Sequence, residues 1–227
     1  MGILSNILAL FLLSGMTFSA PEEEDGKHRN PNARTVRTEN CYISCGLEGK
    51  LDFQIFENVM ESLDEMEYRN EEIVTIIDFS KPSTEKRLII LDLKEQKILH
   101  HTYVAHGKNT GENWAEKFSN KQGSNQSSLG LYKTAESYFG KHGYSLRLDG
   151  LEKGFNDKAR SRALVLHSAA YVSEDFIKKY GRLGRSFGCP AVPLENSKEI
   201  IDLIKGGSCL YIYANDSCYL ENSVLAD

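Results

Sequence analysis

The residues that could do chemistry together in this chain are a histidine and a cysteine on one short segment. His167-Ser168 is followed 18 residues later by Ser186-Phe187-Gly188-Cys189. Cysteine attacks a carbonyl as its thiolate, so it needs a neighbouring imidazole to accept the proton. A glycine before the cysteine lets a carbonyl approach the backbone, where two successive N–H groups could stabilise an oxyanion. The pattern indicates nucleophilic catalysis; the alternative is a buried cysteine beside an unrelated histidine.

Three longer segments around this pair resemble the L,D-transpeptidase catalytic domain, the YkuD-like family that remodels bacterial peptidoglycan. The segments are Asn125-Gln-Ser-Ser-Leu-Gly130, Lys141-His-Gly-Tyr-Ser-Leu-Arg-Leu-Asp-Gly150 and Gly184-Arg-Ser-Phe-Gly-Cys-Pro-Ala-Val192. The resemblance covers residues 70 to 214 and is to a variant branch of the family. Phe187 replaces the second histidine of the commoner Ser-His-Gly-Cys-x-Arg form, and Pro190-Ala191 stand where an arginine is usual.

The resemblance implies a role for each residue of the motif. Cys189 would be the nucleophile and His167 the base. The main-chain carbonyl of Ser168 would orient the imidazole. The N–H groups of Gly188 and Cys189 are the candidates for the oxyanion hole, where loss of one donor typically costs about a hundredfold in rate.

The substrate implied by the resemblance is a peptidoglycan stem peptide that ends in a D-amino-acid carboxylate. Arginine holds a carboxylate best because its planar fork donates two hydrogen bonds. Arg185 and Arg182 are therefore the candidates for this contact, with Arg185 ahead because it adjoins Ser186. Other predicted substrate-binding residues are Ser186, Tyr144 and Ser128, each of which could instead serve the fold.

The predicted enzyme is thus an L,D-transpeptidase whose Cys189 forms a thioester with a tetrapeptide stem. It would release the terminal D-amino acid and transfer the acyl group to an amine, which gives a 3-3 cross-link or an exchanged D-amino acid. Transfer to water would make it an L,D-carboxypeptidase. A catalytically silent peptidoglycan-binding module is the alternative of another class, and a secreted Cys-His protease is the weaker rival. No cofactor is expected, and no Cys-x-x-Cys or i, i+4 histidine pair predicts a metal site.

Composition limits the partners and the number of domains. A chain of 227 residues with 41% hydrophobic residues can bury one ordinary core. Its formal net charge of -5, without a basic patch, argues against nucleic acid as a partner. The partner that the resemblance implies is a peptidoglycan stem peptide. The sequence leaves the oligomeric state open.

The N-terminus predicts export, and the resemblance implies that the destination is the periplasm or cell envelope of a bacterium. Residues 1–20 carry no charged side chain and contain the apolar run Ile7-Leu-Ala-Leu-Phe-Leu-Leu13, which is too short to span a bilayer. We interpret this segment as a signal peptide cleaved after Ser19 or Ala20, with an uncleaved anchor as the alternative. After cleavage no stable membrane span is expected. Residues 21–50 are predicted as a polar linker, because residues 21–40 are charged and poor in apolar side chains.

The five cysteines suit an exported protein only in part. If Cys189 stays free, Cys41, Cys45, Cys209 and Cys218 remain for disulfides. Four cysteines allow three pairings, between which the sequence does not choose; local pairing of Cys41 with Cys45 and of Cys209 with Cys218 is one of them, and free buried thiols are the alternative to any disulfide.

Hydrophobic periodicity places these residues on a mainly β fold over residues 51–215. An amphipathic helix is predicted over 52–68, strands over 73–79, 87–93, 97–105, 129–134, 144–148, 162–167 and 209–213, and helices over 174–180 and 197–205. Ser173 and Ser197 are the predicted helix caps, and the loop 107–128 is expected to border the cleft. Residues 216–227 are predicted as a C-terminal tail. Local connectivity favours an antiparallel sandwich or barrel, and the resemblance implies an L,D-transpeptidase-like β-sandwich with a few peripheral helices.

Overall fold

The computed structural model describes residues 31–225, which are built around one eight-stranded sheet. The strands are β1 (Asn70–Asp78), β2 (Leu88–Asp92), β3 (Lys97–Thr102), β4 (Gly130–Gly140), β5 (Gly143–Gly150), β6 (Val165–Ser168), β7 (Ala191–Val192) and β8 (Ser208–Tyr213). Their order across the sheet is β3-β2-β1-β8-β4-β5-β6-β7. The pairs β1–β8 and β6–β7 are parallel, and the other neighbouring strands are antiparallel.

The sheet is nearly closed, because its last strand meets the chain beyond its first. Ala191 in β7 forms an antiparallel bridge with Ala105, which follows β3, and the Ala105 N–H donates to the Ala191 carbonyl at 2.8 Å. The predicted mainly β fold with a few peripheral helices is confirmed. The predicted hairpin of β2 and β3 is also present.

Within residues 31–225, five helices surround the sheet: α1 (Pro31–Ser44), α2 (Phe53–Glu65), α3 (Glu174–Tyr180), α4 (Ser197–Ile204) and α5 (Ser217–Asn222). Ser173 caps α3 by accepting from the Phe176 N–H, and Gly181 ends that helix in the left-handed region, both as predicted. Ser197 is not the cap of α4. It is the first helical residue and its hydroxyl donates to the Leu194 carbonyl at 3.1 Å, so the cap position falls to Asn196.

Two segments predicted as unstructured are helical and packed. The predicted linker contains α1, and Cys41 in that helix and Cys45 directly after it are buried in the main core with α2. The predicted C-terminal tail contains α5, whose buried Tyr219 donates a hydrogen bond to Glu152 Oε1 at 2.9 Å. Both helices are stabilised by partners distant in sequence, which local composition does not reveal. The predicted signal peptide and residues 21–30 lie outside the described residues.

The cysteines are free thiols in this structure. The sulfur atoms of Cys41 in α1 and of Cys45, which directly follows that helix, lie 4.0 Å apart. Cys209 is buried in the core, whereas Cys218 is exposed. The local disulfide pairing is therefore not formed. No helix within residues 31–225 is long and apolar enough to cross a membrane.

The core has two parts, and the smaller one supports the predicted motif. The main cluster includes the buried side chains of β1, β2, β4 and β8. The smaller cluster consists of buried apolar residues from the segments before and after the motif: Ala105, Ala169, Val172, Leu183 and Ala191. Packing at this smaller cluster holds the end of β6 and the motif loop against each other.

Candidate active site

His167 occupies the end of β6, where neighbouring strands hold it on both sides. It pairs with Ser145 of β5 and with Ala191 of β7, and its side chain is buried. Its Nδ1 lies 2.9 Å from the main-chain oxygen of Ser168. Because a carbonyl only accepts hydrogen bonds, this contact requires the proton on Nδ1 and leaves Nε2 as the basic atom. The structure thus places the Ser168 carbonyl where the resemblance implied an orienting group.

Cys189 and His167 both line a cavity of about 300 Å³. The residues that line it come from the end of β6, the motif loop and the β4–β5 turn: His142, His167, Ser168, Ala169, Ala170, Tyr171, Arg185, Ser186, Phe187 and Cys189. The Val165 N–H donates to the Cys189 sulfur at 3.5 Å. The structure therefore brings together the predicted nucleophile, base and orienting residue, with two of the predicted substrate-binding residues, Ser186 and Arg185.

The motif loop keeps its shape through a glycine and two serines. Gly188 has φ of +124°, and a Cβ there would lie 2.8 Å from the Gln126 carbonyl oxygen, so only glycine fits without strain. Ser127 Oγ donates to the Gly188 carbonyl at 3.0 Å. Ser186 Oγ accepts from the Gly188 N–H at 3.0 Å and donates to the Cys189 carbonyl at 2.6 Å. The Gly188 N–H, predicted as an oxyanion donor, is thus engaged inside the loop.

The electrostatics of the pair favour the neutral forms of both groups. Burial lowers the pKa of His167, and the neighbouring His142 lowers it further, while the hydrogen bond to Ser168 acts in the opposite direction. Burial also raises the pKa of the Cys189 thiol, which the Val165 N–H and the positive charge of Arg162 act to lower. The resting site therefore holds a thiol and a neutral imidazole rather than an ion pair.

The two predicted arginines share one carboxylate. Arg185 Nη1 lies 2.7 Å from Glu112 Oε1, and Arg182 Nε lies 2.9 Å from Glu112 Oε2. Arg185 also donates to the carbonyls of Lys108 and Gly111. Arg185 lines the cavity of Cys189, whereas Arg182 is not among its lining residues. Of the two, only Arg185 is in place to meet a ligand there.

Two other predicted substrate-binding residues lie away from the cavity. The hydroxyl of Tyr144 donates to Asp202 Oδ1 at 2.7 Å. The hydroxyl of buried Ser128 lies 2.7 Å from the hydroxyl of Tyr132. Both side chains make these contacts within the fold and do not line the cavity. Within residues 31–225, no group of three His, Cys, Asp or Glu side chains could hold a metal ion.

Two residues at the site were not predicted from the sequence. His142, in the turn between β4 and β5, stacks on the His167 ring with centroids 4.5 Å apart and an interplanar angle of 26°. Arg162 donates to the carbonyls of Ser119 and Gln126 at 2.6 Å, so it ties the loop before β4 to the site. A signal for His142 existed in the Lys141–Gly150 segment of the resemblance. Its spacing from His167 in the sequence does not predict the contact, because the two rings meet through the pairing of β5 with β6.

A comparison with known families identifies the domain. Residues 47–213 match the family model described as the L,D-transpeptidase catalytic domain. This match spans most of the chain, and the chain belongs to that family. No curated protein matches it.

Solved structures similar to this chain include other L,D-transpeptidases. The L,D-transpeptidase from Mycobacterium smegmatis is 12% identical with a TM-score of 0.40, and the match covers 63% of this chain and 59% of that one. LD transpeptidase LdtMt1 in complex with imipenem is 12% identical with a TM-score of 0.39, covering 63% and 60%. The enzyme from Stackebrandtia nassauensis is 15% identical with a TM-score of 0.38, covering 79% and 77%. The match thus spans about three fifths of the length of the first two.

Proposed function

We propose that this protein is a peptidoglycan L,D-transpeptidase in which Cys189 is the nucleophile and His167 the general base. The observation that carries the proposal is the shared cavity. Cys189 and His167 both line it, and the contact of His167 Nδ1 with the Ser168 carbonyl supports Nε2 as the proton acceptor. Membership of the family supplies the substrate class, a stem peptide of peptidoglycan.

In the first half of the reaction, the Cys189 sulfur attacks the carbonyl carbon before the terminal D-amino acid of a tetrapeptide. His167 takes the thiol proton as the C–S bond forms. The Cys189 N–H is the oxyanion donor we favour, because the Gly188 N–H already donates to Ser186. The C–N bond then breaks, His167 gives its proton to the leaving amine, and a thioester remains on Cys189.

The pKa shifts describe when the proton moves. With the thiol pKa raised and the imidazole pKa lowered, a thiolate–imidazolium pair is unfavourable before substrate binds. Proton transfer therefore accompanies attack. Arg162 limits the cost of the transient negative charge, because its positive charge acts to lower the thiol pKa.

Arg185 is the residue we propose for the terminal carboxylate of the donor. It lines the cavity and is already fixed by Glu112, which reduces the entropy lost when it binds an anion. The Glu112 carboxylate competes for the same guanidinium. Because lysine lacks the planar fork that donates two hydrogen bonds to a carboxylate, Arg185→Lys should raise the KM for tetrapeptide more than it lowers kcat.

In the second half, an amine accepts the acyl group and forms a 3-3 cross-link or an exchanged D-amino acid. A bound amine outcompetes water only if the cavity positions it, which makes the attack effectively intramolecular. Hydrolysis of the same thioester would make the protein an L,D-carboxypeptidase.

The test is mass spectrometry of disaccharide tetrapeptide incubated with purified protein and an added D-amino acid. We expect 3-3 dimers or exchanged stems, and a covalent carbapenem adduct on Cys189. Cys189→Ala should lose both, with Cys218→Ala as the matched control because that exposed thiol lies outside the cavity. Tripeptide as the sole product would favour the carboxypeptidase. Binding of muropeptide without any adduct would favour the silent binding module.

We also propose export, since the family acts in the cell wall. The mature protein should begin near residue 20 or 21. Edman sequencing of the native protein from the envelope fraction tests this, and a sequence that begins at Met1 would contradict cleavage.

A further inference from the structure

We propose that His142 is a second catalytic base, which removes the first of two protons from the acceptor amine in the transfer half of the reaction. The inference rests on the proposed function, because it concerns the transfer step after the Cys189 thioester has formed.

The geometry places His142 in contact with both the cavity and solvent. It lines the same cavity as Cys189 and His167, and its ring stacks on His167 with centroids 4.5 Å apart. His167 is 3% exposed, whereas His142 is solvent-exposed in the turn between β4 and β5. A proton taken up by His142 can therefore leave to bulk water without passing through the buried pair.

The chemistry requires one more base for amine transfer than for hydrolysis. A primary amine is an ammonium ion at neutral pH, with a pKa typically well above 7. It must lose one proton before its nitrogen has a lone pair, and a second after it has attacked. Water loses only one proton during thioester hydrolysis. His167 accounts for one proton in either reaction, so the ammonium needs a second acceptor.

The proposed transfer conserves atoms and protons. The ammonium gives a proton to His142, which releases it to solvent. The neutral amine attacks the thioester carbonyl carbon, and its second proton passes to His167. The C–S bond breaks, and the Cys189 sulfur takes that proton from His167. Ammonium and thioester thus become an amide, a thiol and one proton in solution.

No other described residue of the cavity wall is suited to this step. Arg185 is paired with Glu112 and carries no basic lone pair. Burial raises the pKa of Tyr171 to about 12, which keeps it protonated. His167 carries the second proton from the amine to the Cys189 sulfur, so it does not take the first. The stacking also sets the order of the two proton transfers. Two protonated imidazoles in contact would repel each other, so His142 must release its proton to solvent before His167 takes the second proton from the amine.

Two substitutions separate the base from the stacking. His142→Phe keeps an aromatic face on His167 but cannot accept a proton, whereas His142→Ala removes both. Lys141→Ala, at an exposed neighbour in the same turn, controls for disturbance of the turn. Each protein is acylated with a carbapenem and with tetrapeptide, and the thioester is partitioned between water and a D-amino acid at saturating concentration.

We expect His142→Phe to lower the ratio of transfer to the D-amino acid over hydrolysis by about tenfold to a hundredfold, because only transfer uses the second base. Hydroxylamine, a nucleophile that is mostly neutral at about pH 7, should restore transfer by His142→Phe to near the wild-type rate. His142→Ala should also slow acylation, because it removes the ring that packs on His167.

Equal losses of transfer and hydrolysis in His142→Phe would overturn the inference, as would full transfer to the D-amino acid. A deficit that persists with hydroxylamine would also overturn it, since the lost group would then not be a base. Each of these outcomes leaves the Cys189 thioester intact. Failure of wild-type protein to form any thioester would instead overturn the proposed function.

Discussion

Two regions of this protein each contain a buried histidine, and of the two side chains His167 lines the cavity of Cys189 whereas His106 does not. His106 is 1% exposed, and its Nδ1 accepts a hydrogen bond from Arg87 Nη2 at 2.8 Å. Its Nε2 points to the Gly111 carbonyl at 3.4 Å. His167 is as deeply buried, but it lines a cavity beside Cys189. Burial and a lowered pKa occur in both regions, so the open cavity and the neighbouring sulfur distinguish the catalytic candidate.

The His106 region supports the fold around the motif. The buried Arg87 guanidinium donates to the carbonyls of Val104 and Lys81, and it stacks over the Phe79 ring at 4.8 Å from the centroid. The main-chain oxygen of His106 accepts from the Ser186 N–H at 2.9 Å. A structural histidine thus holds the loop that carries the candidate nucleophile.

The largest expected effect is the loss of the base. His167→Gln should slow carbapenem acylation of Cys189 by about a hundredfold or more, because no imidazole then accepts the thiol proton. The measurement is the acylation rate by mass spectrometry. Unfolding in urea should show a modest change in stability. A rate within tenfold of wild type would remove the distinction between the two histidines.

The second prediction concerns stability in the His106 region. His106→Ala should lower the free energy of unfolding by about 1–3 kcal/mol, because the buried Arg87 loses an acceptor. Urea denaturation measures this. His106→Gln, whose amide oxygen can accept from Arg87, should recover part of the loss. Acylation by the folded variant should fall far less than in His167→Gln; the reverse order would contradict a structural role.

A pH titration should sharpen the same contrast. Burial and the charge of Arg87 lower the pKa of His106 to about 3 in the folded state, against about 6.5 when unfolded. The unfolded chain therefore binds a proton that the folded protein excludes. This contribution is fully present above about pH 6.5 and is lost as pH falls towards 3. It should be on the order of a few kcal/mol.

His106→Gln is the matched variant for that titration. It should flatten the decline in unfolding free energy between about pH 7 and pH 4 relative to wild type. His167, whose pKa is also lowered, contributes in the same direction in both proteins, so the difference between them isolates His106. Parallel curves would show that His106 does not titrate on unfolding.

The smallest expected effect is that of Arg162, for which Arg160 serves as the control. Arg162→Gln should raise the pKa of the Cys189 thiol further, because its positive charge acts to lower that pKa. Alkylation of Cys189 by iodoacetamide at about pH 8 should slow by about threefold or less. Arg160→Gln is the control, since Arg160 is paired with Asp149 and Glu136 outside the cavity. Faster alkylation in Arg162→Gln would contradict the electrostatic role.

Local signals predicted much of this fold. The apolar spacing from 53 to 63 gives α2 its buried face of Ile55, Phe56 and Val59, and Asp52 caps it. Ser173 and Gly181 define α3 because capping depends on a few adjacent residues. The strands were predictable for the same reason, since alternation and turn residues act over short distances.

Elsewhere the prediction from the sequence was wrong, because contacts between residues distant along the chain decide the structure. The segment before residue 45 is rich in charge, yet Cys41 and Cys45 pack into the main core. The C-terminal segment is short and polar, and it is ordered around Tyr219 because Glu152 lies across the fold. Tyr144 is a residue type that is common in clefts, but it donates to Asp202 on α4. In each case the deciding partner lies far away along the chain.

The sequence by itself determined the family, the class of fold and the cysteine and histidine with which we explain the chemistry, because these depend on residue types at short spacing. Only the tertiary structure decided which polar residues share a cavity. The register of β5 with β6 places the β4–β5 turn, and so His142, over His167, while Ser128 and Tyr144 turn to partners within the fold. Strand pairing joins residues that are distant along the chain, and no local pattern encodes that distance.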